Sequence, residues 1–206
     1  MAITTYAELK TAVANWSSRS DMTSRTPEFI AMAEDWAGLN LRVRAMETTT
    51  NLTVNAQTVA LPTGFVSMRR LYLDGNPVKK LDYLSPINFW SKYTSTNTAK
   101  PVAYTIEGEN IVFGPIPDTT YTGKILYYKK FTSFSGDSDT NWLLTNARGI
   151  LLYGALVELF SHTGEDGKLL KWATMRDELA KNVSAADKQD RFSGDALVIQ
   201  TDVGGP

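Results

Sequence analysis

The chain has 206 residues, with 21 Lys+Arg against 22 Asp+Glu, one His and no Cys; 43% of it is hydrophobic, and the mean hydropathy is −0.21. These values suit a soluble globular protein long enough to bury a core. They argue against a disulfide framework, a thiolate nucleophile, a His-centred triad, a Cys- or His-rich metal site and a generic basic nucleic-acid binder.

The first segment reads as a helix. Thr5 is placed as N-cap with Glu8 three residues on, the capping-box spacing, and Leu9, Val13 and Trp16 follow at helical period. Ser17 to Arg25 is polar and breaks the pattern. Thr26-Pro27-Glu28 restarts it: a hydroxyl N-cap, proline at the first helical position and a carboxylate at the positive dipole end. Phe29, Ile30, Ala33, Trp36, Ala37 and Leu41 carry this helix to about Arg44, and the small Ala33, Ala37 and Gly38 allow close helix approach.

From Glu47 the period becomes two. Thr48 to Val54, Thr58 to Leu61, Val66 to Leu73 and Val78 to Leu81 read as strands, with turn chemistry at 55–57, 62–64 and 74–77. Ser85-Pro86 starts a short helix to about Tyr93, carrying Ile87, Phe89 and Trp90. Tyr104 to Glu107 and Asn110 to Phe113 form a hairpin over Gly108-Glu109, and Tyr121 to Lys130 is the longest strand.

Ser133 to Asn141 is a Gly/Ser/Asp loop. Thr145 or Asn146 then caps a helix with a wide apolar face, Ile150 to Phe160, which predicts a central, buried helix ended by Gly164. Asp166 caps the last long helix, to about Arg191. The remaining tail holds one apolar run, Leu197-Val198-Ile199, in a Gly/Asp context.

The organisation expected is a helical bundle from 1–46 and 133–191, an inserted β-rich domain over 47–132 and an extended C-terminal tail over 192–206. The fold class is α+β: a four-helix bundle of two N-terminal and two C-terminal helices, with a β-rich insertion. The start, Met1 to Lys10, has no apolar core of a secretory signal, and the longest apolar run, Ile150 to Val157, is too short to cross a bilayer. A soluble, intracellularly assembled protein without membrane contact is expected.

Catalytic signals fail on inspection. Asp137, Asp139 and Asn141 have the opening spacing of a calcium loop, but Trp142 stands where Gly is needed and Arg148 where Glu is needed. His162, at a helix end beside Ser161, is expected to meet helix C-terminal carbonyls. The pairs Glu165/Asp166 and Asp177/Glu178 occupy adjacent helix positions that diverge, unlike the facing carboxyls of a glycosidase. No phosphate-cradling glycine loop is present. No catalytic residue, metal or cofactor is expected, and the chain is expected not to be an enzyme. The basic doublets Arg69-Arg70, Lys79-Lys80 and Lys129-Lys130 fall on predicted strands, where neighbours point to opposite faces, so no doublet should form one patch. They read as solvated guards of sheet faces and edges. The tail's Leu197, Val198 and Ile199 form a short strand-former suited either to packing back on the bundle or to adding to a sheet edge or groove of another chain.

The chain resembles the head-to-tail adaptor (connector) proteins of tailed bacteriophages. The resemblance rests on Tyr6-Ala7-Glu8-Leu9 with Trp16, Arg19-x-Asp21, Pro27-x-Phe29-Ile30 with Ala33-Glu34, Leu41-Arg42 and Met46-Glu47. It continues through Leu61-Pro62 before Phe65 and Arg69, then Pro101-x-x-Tyr104-x-Ile106-x-Gly108 and Pro115-x-Pro117 ahead of Tyr127-Tyr128. Asn141-Trp142-Leu143 and Leu152-Tyr153-Gly154-Ala155-Leu156 complete it. Order and spacing over most of the chain carry it, not any single motif. The resemblance implies a structural virion protein at the neck, forming a ring, typically of twelve copies, below the portal. It implies as partners the portal protein, a tail or nozzle protein and further copies of itself, with DNA passing the lumen without specific binding. Leu197, Val198 and Ile199 would then be the portal-docking residues. The alternatives left open are a tail-completion or terminator protein of the same channel and a peptidoglycan hydrolase.

Overall fold

The computed structural model describes residues 2–75, 78–94 and 96–192. In chain order the helices are α1 (Tyr6–Ser17), α2 (Thr26–Asn40), α3 (Pro86–Lys92), α4 (Trp142–Asn146), α5 (Arg148–Thr163) and α6 (Asp166–Phe192). The strands are β1 (Glu47–Val54), β2 (Thr58–Ala60), β3 (Phe65–Leu73), β4 (Lys79–Lys80), β5 (Asp82–Tyr83), β6 (Ala103–Glu107), β7 (Asn110–Gly114) and β8 (Tyr121–Lys129). The protein is α+β and divides into two compact units, one of Met1–Arg44 with the chain from Ser133 on, the other Ala45–Thr132.

The helical unit is organised around α5. Ile150, Leu151, Ala155, Leu156 and Leu159 are wholly buried, because α1, α2, α4 and α6 all pack against this one helix. Two glycines let its neighbours approach. A Cβ on Gly154 would lie 2.7 Å from the Ala33 methyl on α2, and one on Gly149 would lie 2.6 Å from Leu179 on α6. The unit carries five α-helices among the described residues, not the four expected, and the difference arises at the entrance to α5. Neither Thr145 nor Asn146 caps α5: both lie in the short α4, whose cap is Asn141, its Oδ1 accepting from the Leu144 N–H at 3.0 Å, and α5 starts after Ala147 with no side-chain cap.

Local chemistry sets the other helix ends. At α1 the capping box is complete, with Thr5 Oγ1 accepting from the Glu8 N–H and Glu8 Oε2 accepting from the Thr5 N–H. The polar stretch before α2 is a 3-10 turn, Ser20–Arg25, so Thr26 is the first residue of α2 rather than its cap. Its buried hydroxyl donates back to the Met22 carbonyl. The helix stops at Asn40, short of Arg44, because Leu41 turns extended and drops into the core. Two side chains there take up end carbonyls: Arg42 donates to Gly38 O and Asn40 to Trp36 O.

The β unit holds two four-stranded sheets, ordered β1-β8-β3-β4 and β2-β7-β6-β5. Strands β1 and β2, neighbours in sequence across 55–57, therefore belong to different sheets. The core is drawn from both: Leu52, Val54, Leu71, Leu73, Ile111, Phe113, Ile125 and Tyr127 form one buried cluster. The period-two pattern explains this, since Leu52/Val54, Leu71/Leu73 and Ile125/Tyr127 are alternate residues on adjacent strands. The expected Val78–Leu81 strand shortens to β4, and β5 pairs parallel with β6, a contact between distant segments. Strands β6 and β7 do form the tight hairpin, with Gly108 at φ 58 in the turn.

Candidate functional site

The expected docking residues Leu197, Val198 and Ile199 lie outside the described residues. Functional geometry therefore has to be sought on the two units, and each offers an exposed surface of distinct character.

On the β unit the surface comes from an irregularity in β3. Met68 pairs with Tyr127 and Arg70 with Leu126, so two residues of β3 advance against one of β8 and Arg69 is the extra residue. Such a bulge breaks the strict alternation of faces. The expectation that Arg69 and Arg70 cannot share a patch is thereby overturned: both line one depression together with Tyr72, Val78 and Lys80. Lys80 joins them because it stands opposite Tyr72 across the β3–β4 pair. Arg69 is held on one side, its Nε 3.4 Å from Glu47 Oε1 and its guanidinium 5.6 Å from the Tyr128 ring. Arg70 and Lys80 are exposed and have no ion-pair partner among the described residues. Period and composition could not reveal this cluster, because a bulge is decided by the partner strand.

On the helical unit, aromatic rings and cations alternate along α6. Trp172 stacks on Tyr153 of α5 and meets Trp16 of α1, with centroids 5.5 and 5.6 Å away. One turn later Arg176 lies 3.9 Å over the Trp36 ring of α2. That guanidinium is desolvated, only 11% exposed, and is also bonded to Asp177. Beyond it a groove runs between α2 and α6, lined by Trp36, Asn40, Ala180, Ser184 and Lys188.

The loop 133–141 is bound to the first two helices. The N–H groups of Tyr6 and Ala7 donate to Asp139 O and Asp137 O, and Phe134 stacks on Tyr6 at 4.9 Å. Asn141 Nδ2 donates to Glu34 Oε1 at 3.1 Å. Burial pushes the Glu34 carboxyl up to about 7, and the neighbouring Asp35 adds to the rise. The Phe134 N–H and Asn141 act against it by donating to the carboxylate.

The groups weighed for chemistry have ordinary local partners. Asp139 Oδ2 accepts from Ser135 N, Ser135 Oγ and Gly136 N, a loop staple that holds its carboxyl below the usual range. Asp137 pairs with Lys10. Among the described residues no three His, Cys, Asp or Glu side chains cluster in a metal-holding group. His162 does not turn to the helix end as expected; its Nε2 accepts from Arg25 Nη1 at 3.2 Å and its ring lies beside Phe29. Gly164 closes the helix instead, in the left-handed region, with its N–H on Ser161 O. Glu165 bridges Lys168 and Arg19, whose fork also grips Asp21. None of the described helices is long and apolar enough to cross a membrane.

The family model described as SU10 adaptor protein matches residues 4–199, almost the whole chain and both units. The chain belongs to the SU10 adaptor protein family. This is a family of phage head-to-tail adaptors, so the chain is a phage adaptor protein and a component of the virion. No curated protein matches it. The adaptor's matched region runs through Ile199 and therefore takes in the Leu197-Val198-Ile199 run.

Proposed function

We propose that this adaptor forms a ring below the portal, joins capsid to tail and lets DNA pass, working by shape and contact without catalysis. The observation that carries the reading is the family match over both units and through the apolar tail segment. In this reading α1, α2, α5 and α6 act as a four-helix scaffold, the β unit projects contact surface, and Leu197, Val198 and Ile199 dock on the portal. A short apolar strand-former gains main-chain hydrogen bonds when it meets a partner's edge or groove, and its ordering entropy is lost only then. A whole-chain charge of −1 is consistent with DNA sliding past, since each phosphate contact would add a salt-dependent hold.

Deletion of residues 193–206 tests the docking role. The expected result is a folded protein with unchanged far-ultraviolet circular dichroism that no longer binds portal rings in a pull-down. Retained portal binding by the truncated chain would refute the tail's role. Binding to tail proteins alone, with wild-type chain failing on portal, would favour a tail-completion protein. Clearing of a peptidoglycan zymogram would overturn the non-catalytic reading.

A further inference from the structure

The near-zero charge of the chain conceals an opposition between its units. The β unit, 45–132, holds nine Lys+Arg against six Asp+Glu, a net +3; the rest of the chain holds twelve against sixteen, a net −4. Three of these nine cations, Arg69, Arg70 and Lys80, gather at the bulge around Tyr72 and the half-exposed Val78.

The helical unit carries a matching stripe on α2. Glu28, Met32, Asp35 and Leu39 recur at intervals of four, three and four, which aligns them along one helix face. All four are exposed, Met32 by 50% and Leu39 by 73%, although α2 buries Phe29, Ile30, Ala33 and Ala37 on its other side. The stripe alternates carboxylate, apolar, carboxylate, apolar. The β-unit depression offers the complement, cations flanking an apolar Tyr72 and Val78. The dimensions agree as well. Glu28 and Asp35 are about 10 Å apart along the helix, and Arg70 and Lys80 are diagonal neighbours about 7–8 Å apart on the sheet, within reach of long side chains.

We propose that the Arg69–Arg70–Lys80 face of one copy docks on the Glu28–Met32–Asp35–Leu39 face of α2 in a second copy. This rests on the ring reading above and names the lateral contact within it. Because the two faces differ, each docking leaves one face of each kind unfilled, the condition for a head-to-tail series that closes into a ring. Electrostatic complementarity sets its register and speeds encounter, while the apolar pairs add area.

The absence of cysteine in the chain allows a clean trap. Val78→Cys and a tagged Leu39→Cys are made separately in the full-length protein, leaving every charge in place. Under oxidation the mixture is expected to give a tagged heterodimer about fivefold above either variant alone, and less of it as salt rises from about 0.05 to about 0.5 M. Arg70→Glu with Lys80→Glu in the Val78→Cys chain should remove the product. Glu28→Lys with Asp35→Lys in the Leu39→Cys chain should then restore it. A mixture no better than the single variants, or a yield indifferent to charge reversal, overturns the proposal. So does retention of duplex DNA by the basic face with no trapped dimer, which would make nucleic acid its partner. Rings on portal without trapping would refute this contact and leave the ring reading standing; trapping without rings would do the reverse.

Discussion

The two units reach a buried core by opposite routes. In the helical unit one element does most of the work: α5 buries a wide apolar face and four helices converge on it. In the β unit no strand is central in that sense. Its core is assembled from β1, β3, β6, β7 and β8, and although β6 and β7 form a local hairpin, β8 meets β1 and β3 only across long stretches of chain. A hub helix announces itself in a short window of sequence, whereas a core of scattered pairs depends on which strands meet. The surfaces differ in the same way: the acidic stripe on α2 follows from helical period alone, while the basic patch exists because of one bulge.

The sharpest test of that difference is to open each core. Phe113→Ala in β7 is expected to cost about 3–5 kcal/mol, by lost transfer energy plus a cavity. Leu156→Ala in α5 should cost about 2–5 kcal/mol. Since the units have separate cores, thermal melts should show the β signal lost early in the first variant and the helical signal at 222 nm lost early in the second. A single shared transition in both would mean that the units fold as one.

A smaller effect is expected at the hub's closest approach. Gly154→Ala places a methyl 2.7 Å from Ala33, so it should destabilise by about 1–2 kcal/mol despite alanine's better helix propensity. Ala33→Gly should recover part of the loss in chemical denaturation, and no recovery would remove the steric explanation.

Glu34 probes the loop clamp through pH. Its folded pKa is raised from 4.5 to about 7, so the folded state holds its proton more tightly than the unfolded chain. The stability this lends is full below about pH 4.5 and is lost as pH rises through 7. Glu34→Gln keeps a hydrogen-bond acceptor and removes the charge. It should stabilise the protein by about 1–2 kcal/mol at pH 8, less than the full shift implies because the group is only partly buried, and leave stability nearly unchanged at pH 4. A variant that tracks the wild type at both pH values would show that the clamp is not under strain.

The smallest expected change lies in the β unit. Thr105 is wholly buried between strands, and its hydroxyl has no hydrogen-bond partner among the described residues. Thr105→Val should raise stability by about 1 kcal/mol in urea titration, because an unsatisfied buried hydroxyl carries its full desolvation cost. A loss instead would reveal a partner for that oxygen.

What could be read in advance separates along the same line. Thr5 with Glu8, Pro27 at the start of α2, Gly108 in its hairpin and the apolar face of α5 are interactions among near neighbours, and the chain carries them wherever it folds. Asn141 caps α4, but the hydroxyl and amide side chains at 145 and 146 compete with it in any local reading. For His162 the helix end is the local expectation, yet Arg25, brought close by the fold, offers a charged donor. The bulge at Arg69 has no local signature at all.

The α+β class, the capped start of α1 and the apolar faces follow from period and from bonds spanning three or four residues, and so are legible in the chain alone. Which strands share a sheet, the parting of β1 and β2, and the gathering of Arg69, Arg70 and Lys80 on one face, opposite in charge to α2, are not legible in the chain alone. Those outcomes turn on contacts between segments distant in the chain, whose free energy appears only once the partner segment is in place.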